Sequence, residues 1–405
     1  CDSGKFLAAG ATSAADHNAE SKCLVCLSGQ YSGVGANSCI SCDQGTYIVD
    51  NGNDASLHAS KSSCLVCASG TWSDTASATC TLCVAGKYID DLSIVPANHA
   101  LESSCKICGY GQYSGAGATI CIECQSGKYI TDVASNHENH DAVGDCAICA
   151  SGQYSIFGAK ICVHCPTGQY INDAAQDASK HIGPGACIVC AKGQYAQNTG
   201  TTTCSLCLAG TYLADKGVYS DKHNHVDDCL VCPNGKIATS TGLHTCTKCI
   251  AGTQIDDNGI DRTKHDDTDD CKICSSGKWA YAGAVYCESC EAGRYLTDNS
   301  ASSAAHTSPV LCALCAKGQW SHANAQTCTE CGAGKYLEDL SLSKNHNDEY
   351  DCKKCPSGTW SLASSHTCTM CIAGTYLKIN GQSSNSCNVC PSGQWSAVGA
   401  DECIS

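Results

Sequence analysis

The chain has 405 residues, of which 40 are cysteine, and 39 acidic side chains against 24 basic ones give a formal net charge of −15. Cysteine at this level marks a disulfide scaffold in an oxidising compartment and excludes an ordinary cytosolic domain, while the acidic balance excludes a phosphate-binding surface for nucleic acid or an anionic membrane. Large apolar residues are sparse and no apolar run approaches a membrane span, so cross-links have to replace the single core that this length would otherwise need. The chain opens on Cys1 with neither Met nor a signal-like segment, which gives the expectation of a mature or trimmed ectodomain whose leader or anchor lies outside it.

From that first residue one pattern repeats: Cys-x-x-Gly-x-aromatic. It stands as Cys1-Asp2-Ser3-Gly4-Lys5-Phe6, then as Cys26-Leu27-Ser28-Gly29-Gln30-Tyr31, and for the twentieth time as Cys390-Pro391-Ser392-Gly393-Gln394-Trp395. The glycine is present in all twenty copies and the aromatic in eighteen, with Ile237 and Gln254 as the departures. All five tryptophans, Trp72, Trp279, Trp320, Trp360 and Trp395, occupy the aromatic position, as do Tyr31 and Tyr47. Between one Cys-x-x-Cys and the next the interval alternates, 22 residues in each of the first eight long loops and 13 or 14 in the short ones.

One long and one short loop make a module of about 41 residues, the period of a tandem array in which each unit packs on its neighbours. The predicted modules are 1–41, 42–82, 83–123, 124–164, 165–206, 207–248, 249–289, 290–330, 331–370 and a shortened 371–405. The expected fold is a line of small disulfide-rich β/coil modules forming a solenoid-like rod with little helix. Bonding each second cysteine to the next first cysteine uses all forty, as Cys1–Cys23, Cys26–Cys39, Cys42–Cys64, Cys67–Cys80 and so on to Cys390–Cys403. The interlocked alternative leaves Cys23 and Cys403 over, and sequence alone leaves the choice open. Each closed loop contributes about 3 kcal/mol in the chain-entropy account. Glycine, as at Gly29, permits a positive φ or a close backbone approach beside the cross-link, and the aromatic lies across a neighbouring disulfide as a miniature core.

The stretch Cys108-Gly109-Tyr110-Gly111-Gln112-Tyr113, followed by a spacer to Cys121 and Cys124, resembles the ephrin-receptor-like cysteine-rich repeats and, more distantly, the modules of tumour necrosis factor receptors. The resemblance runs the length of the chain. It implies a rod of small modules on cell surfaces or in secreted proteins, and long arrays of this kind are similar to surface antigens and flagellar hairs of single-celled eukaryotes.

Six residues before the cysteine that closes the long loop stands a histidine in nine modules of ten, the shortened last loop lacking it: His17, His58, His99, His140, His181, His223, His265, His306 and His346. An aspartate three residues after the aromatic position accompanies it at Asp50, Asp91, Asp132, Asp173, Asp215, Asp257, Asp298 and Asp339. The pair is expected to pin the loop by a hydrogen bond, to give ligands to a metal, or to form a repeated, acid-sensitive contact between copies.

The acidic stretch Asp256 to Asp261, continued by Asp266, Asp267, Asp269 and Asp270, offers calcium a place, but its order of carboxylates does not match an EF-hand and a solvated loop is expected. Cys23-x2-Cys26-x12-Cys39-x2-Cys42 has zinc-ribbon spacing, yet ten repeats of it would leave Cys1 unused. No metal or other cofactor is therefore expected. No nucleophile and base stand apart from the repeat, so no catalytic residue is proposed. The sequence has no Asn-x-Ser/Thr site, so a glycoprotein here would carry O-linked glycans, for example around Thr199, Thr201, Thr202 and Thr203. The expected protein is extracellular or on the cell surface: a structural repeat protein associating with itself as a homo-oligomer or fibre in a filament, appendage or coat. The alternative is the ectodomain of a receptor, adhesin or surface antigen.

Overall fold

A computed structural model describes every residue except 9, 11, 12, 93, 94, 300, 340, 341 and 385. Twenty disulfides join each second cysteine to the next first cysteine, from Cys1–Cys23 to Cys390–Cys403, and no cysteine is free. The ladder connectivity is thus the one present, and the zinc-ribbon reading falls because no thiolate is left to ligate a metal.

The ladder dictates the local fold. In Cys64-Leu65-Val66-Cys67 the first cysteine closes the loop behind and the second opens the loop ahead. The dipeptide between them is held extended and forms the strand Leu65–Val66, antiparallel to Thr46–Tyr47. In the next, short loop, Thr71–Trp72 pairs in the same way with Thr81–Leu82. Among the described residues nineteen such two-stranded sheets follow one another. The long loops are more ordered than the expected coil: each of the first nine turns through two short 3-10 helices, as at Ala55–His58 and Lys61–Ser63. Asp54 caps the first of these, its Oδ1 accepting from Ser56 N at 2.9 Å.

Successive loops are joined by backbone hydrogen bonds. Gly45 N in a long loop donates to Ser73 O in the following short loop at 2.9 Å, and Ser73 N donates onward to His99 O in the next long loop at 2.9 Å. Alternate loops also touch. Gly45 has φ +79°, and a Cβ there would lie 1.9 Å from Pro96 O, one long loop further on. Gly29 has φ +70°, and its missing Cβ would lie 2.2 Å from Ala76 O, one short loop further on. Long loops therefore lie against long loops and short against short, at a separation only glycine allows.

The apolar core is a string of small clusters built on the long-loop disulfides. Trp72 packs on Cys83, Ile89 and Cys105, Tyr113 on Cys124, Ile130 and Cys146, and Trp320 on Cys331, Leu337 and Cys352. Tyr154 and Tyr195 likewise cover the disulfide of the long loop after them, and Trp279 does so at 7 % exposure over Cys290 and Cys312. Tyr31, Tyr47 and Trp360 are half-buried in their hairpins. Trp395 departs from the expected packing and is 58 % exposed, since no long-loop disulfide follows it in the sequence to receive the ring. The residue after the aromatic completes the division of labour. In long loops it is a buried aliphatic such as Ile48, Ile89 or Leu296, and in short loops a buried Ser or Ala such as Ser73 or Ala280.

Two compact units divide the chain. One comprises Cys1–Cys190, Ala196–Cys204 and Tyr219–Asn224, and the other Ala191–Tyr195, Ser205–Val218 and His225–Ser405. Within each the same alternation of long and short loops continues.

Burial differs between the two kinds of bridge. In Cys83–Cys105 and Cys124–Cys146 both cysteines are buried, whereas Cys80 and Cys121, which close short loops, are only half-buried. Limited reduction followed by alkylation and mass spectrometry is expected to open short-loop bridges such as Cys67–Cys80 before long-loop bridges such as Cys83–Cys105; the reverse order would contradict this packing.

Candidate functional site

The repeated histidine is the most chemically loaded position in the chain, and the fold gives it one environment many times. In the loop from Cys42 to Cys64 the Asp50 carboxylate accepts from Asn53 N at 2.8 Å and from Asp54 N at 3.0 Å, which turns the chain back toward the 3-10 helix Ala55–His58. That helix delivers His58 into the seam with the preceding short loop, where the ring is completely buried. His58 Nδ1 donates to Gln30 O at 2.6 Å, Nε2 lies 3.0 Å from Asp50 Oδ2, and the His58 carbonyl accepts from Ser32 N at 2.9 Å. One residue therefore ties its own loop together and fastens it to the loop before.

The arrangement recurs with little change. His99 joins Thr71 O at 2.7 Å to Asp91 at 3.0 Å, His140 joins Gln112 O at 2.7 Å to Asp132 at 3.0 Å, and His181 joins Gln153 O at 2.7 Å to Asp173 at 3.1 Å. In the second unit His265 bridges Lys236 O at 2.7 Å and Asp257 at 2.6 Å, and His306 bridges Lys278 O at 2.6 Å and Asp298 at 2.9 Å. His346 keeps the bond to Gln319 O at 2.7 Å but turns Nε2 to the backbone carbonyl of Asp339 at 2.7 Å, while the Asp339 carboxylate accepts from Asn345 Nδ2. His223 is equally buried, and its carbonyl accepts from Ala196 N at 2.8 Å.

His17 is exposed, unlike the other eight, and the position that would match Asp50 is residue 9, outside the described residues. The expected contact between copies through these histidines is corrected. Complete burial of His58, His99, His140, His181, His223, His265, His306 and His346 leaves those imidazoles no surface on which to meet another copy. A contact between copies has to use other residues.

The hydrogen-bond partners fix the ring chemistry. A carbonyl oxygen only accepts, so Nδ1 carries a proton. The carboxylates stay ionised: backbone N–H bonding from Asp54, joined by His58 and Asn53, brings Asp50 down to about 2, and bonding chiefly from Asp177 N holds Asp173 below its ordinary value. At Asp298 the largest cause is the bond from His306, while at Asp91 burial acts in the opposite direction and is outweighed by Val95 N and His99. At His346 both partners are carbonyls. Both ring nitrogens thus face oxygen atoms, a main-chain carbonyl on one side and, except at His346, an aspartate carboxylate on the other.

The remaining candidates fall into structural roles. Ile237 is buried with Cys249 and Ile255 where other copies place an aromatic, and Gln254 Oε1 accepts from Cys287 N at 2.6 Å. The acidic stretch uses its carboxylates on its own backbone: Asp257 accepts from Gly259 N at 2.8 Å, Asp261 from Thr263 N at 3.0 Å and Asp267 from Asp269 N at 3.0 Å. Among the described residues no three His, Cys, Asp or Glu side chains converge as a metal site, and no helix is long and apolar enough to cross a membrane. Sequence reasoning found the His and Asp of the pin but missed its third member, because a main-chain carbonyl carries no side-chain signature. It also missed the aliphatic and small residues after the aromatic, whose signal was present: Ile or Leu follows that position in all ten long loops, and Ser or Ala in all ten short ones.

Comparison with known families and with characterised proteins finds no match for this chain. Its reading rests on its own chemistry.

His140→Ala leaves the Gln112 carbonyl buried without a donor, a loss of roughly 1–3 kcal/mol. Amide exchange is expected to accelerate in the loops around Gln112 and Asp132 while every disulfide stays intact; unchanged exchange there would remove the pin from the account. The lowered aspartates give a second expectation. Their contribution to stability is present above the unfolded aspartate range, about 3.9, and is lost as pH falls toward the folded value of Asp50, about 2. Non-reducing thermal melts should hold level through mildly acid pH and drop only below about 4, and a drop already near 6 would contradict this assignment.

Proposed function

We propose that this chain is an extracellular structural repeat protein that associates with copies of itself to build a filament, an appendage or a surface coat, and that it performs no catalysis. The observation that carries the reading is the uniformity of the interior. The same cross-link, glycine contact and buried histidine pin recur at one spacing, and a periodic interior holds exterior positions at a matching period. Identical exterior positions at fixed spacing let a weak contact between copies be made many times over. The resemblance to ephrin-receptor-like repeats in surface and filament proteins of single-celled eukaryotes points the same way, as does a disulfide content suited to an oxidising exterior. O-linked glycans on exposed Ser and Thr would fit such a surface.

A second reading, a receptor, adhesin or surface-antigen ectodomain, is favoured by one feature: the region around Ile237 does not follow the rule of its neighbours.

Electron microscopy of the unreduced chain over a range of concentration tests the proposal. Fibres or sheets with an axial repeat commensurate with the 41-residue module are expected. Separate, monodisperse molecules at every concentration would overturn self-assembly and leave the ectodomain reading.

A further inference from the structure

The internal repeat serves as its own control for finding a site, since corresponding positions can be compared along one chain. At Ile237 a cleft of about 670 Å³ opens beside the Cys249–Cys271 bridge. The corresponding cleft one module later, about 500 Å³, is lined by Trp279, Glu288, Glu291 and Arg294. The residues at those four positions in the first cleft are Ile237, Thr247, Ile250 and Thr253. Four bulky or charged side chains of that module thus correspond to small or aliphatic ones here; Ile237 alone of the four departs from the rest of the array, and Ile273 adds a third isoleucine to the wall. Core packing alone does not require the change at Ile250, which is 64 % exposed.

Charge changes at the same place. Lys248 and Lys272 line this cleft, where the next module has Ser289 and Ala313. Lys236 stands directly opposite Lys248 in the strand register, a mildly unfavourable like-charge pairing that Lys335 and Lys354 also make. Five lysines, as in Lys5–Glu20, Lys61–Asp43, Lys87–Glu102 and Lys335–Glu349, stand against carboxylates; among the described residues Lys236 and Lys248, like most lysines of the chain, have no ion-pair partner. Lys272 Nζ is anchored on the Asp269 carbonyl at 2.8 Å, which fixes its ammonium near the rim.

We propose that this cleft binds an aliphatic carboxylate, its hydrocarbon chain along Ile237, Ile250 and Ile273 and its anionic head at Lys248 and Lys272. The volume lies in the range of small-molecule sites, and an apolar wall with a few charged groups at one end is the usual form of such sites. Asp269 also lines the cleft, so two ammonium groups stand there against one carboxylate, and in an acidic protein recognition of a free carboxylate depends on that small local excess of positive charge. The proposal does not depend on self-assembly, because the cleft lies within a single chain.

The test is titration of the oxidised full-length chain with dodecanoate, read by displacement of a fluorescent undecanoate probe, with dodecanol as the uncharged control. One saturable site is expected, with dodecanol at least about tenfold weaker. Ile250→Asp, on an exposed residue that leaves the core alone, is expected to weaken dodecanoate at least tenfold, and Ile237→Trp, the residue type of the next module, to fill the cleft and abolish the site. A double Lys248→Ala, Lys272→Ala chain should bind dodecanoate no better than dodecanol. Absence of saturable binding, or binding that survives both Ile250→Asp and Ile237→Trp in chains with an unchanged disulfide map, would overturn the proposal; equal affinity for dodecanol would overturn the assigned role of the lysines.

Discussion

Each Cys-x-x-Cys is shared between two loops, bonded backward by its first sulfur and forward by its second, and the rest of the architecture depends on that sharing. It limits the strand between the cysteines to two residues, so no sheet grows beyond a pair and no long edge is offered to another chain. It also removes any need for a large common core, because each long-loop bridge is itself the floor of a small one, roofed by an aromatic from the short loop before it. Apolar residues can then be few without leaving the chain unfolded, and most large aliphatics outside the repeat position are indeed exposed.

Close stacking creates a polar difficulty that the histidine resolves. Loops near enough for Gly45 to meet Pro96 O leave little room for water between them, and strands of two residues leave main-chain carbonyls such as Gln30 O without a ladder partner. The imidazole reaches across the seam with a donor for that carbonyl, while its second nitrogen finds an aspartate already fixed by two backbone amides. The aliphatic after the aromatic fills the apolar half of the seam and the pin fills the polar half. This is why His and Asp keep their spacing from the cysteines as strictly as the aromatics do.

Side-chain periodicity made much of this legible. The glycines, the aromatics, the His and Asp pairs and the loop lengths could all be read because each is a residue type at a fixed distance from a cysteine. The spatial relations were harder to read. The partner of His58 is the carbonyl of Gln30, 28 residues earlier, and the partner of the space at Gly45 is the carbonyl of Pro96; any residue could supply either group. The exceptions follow the same logic. His17 and Trp395 match the pattern in sequence, yet each depends on a neighbouring loop that the sequence does not contain, so they are exposed. The alternation of Ile or Leu with Ser or Ala after the aromatic position was visible throughout, and its meaning emerged only once long and short loops were seen to play different parts.

A fixed interior also shows where variation is free to occur. The position after the cysteine that closes each long loop is exposed along the chain, and it changes from Leu24 and Leu65 to Lys106, Ala147, Ile188 and Lys272 with no disturbance to the strands beneath. The region around Ile237 makes the separation sharper. There Ile237 replaces the aromatic and Lys248 stands where no other module has a lysine, yet Lys236 O and Asp257 hold His265 as their counterparts hold His306 one module later. Had the aromatic been lost through relaxed constraint, the pin fastened to the same strand would be expected to loosen with it. It is kept, so the departure belongs to the surface, and the interior rule is what lets one module carry a different exterior without breaking the spacing of the others.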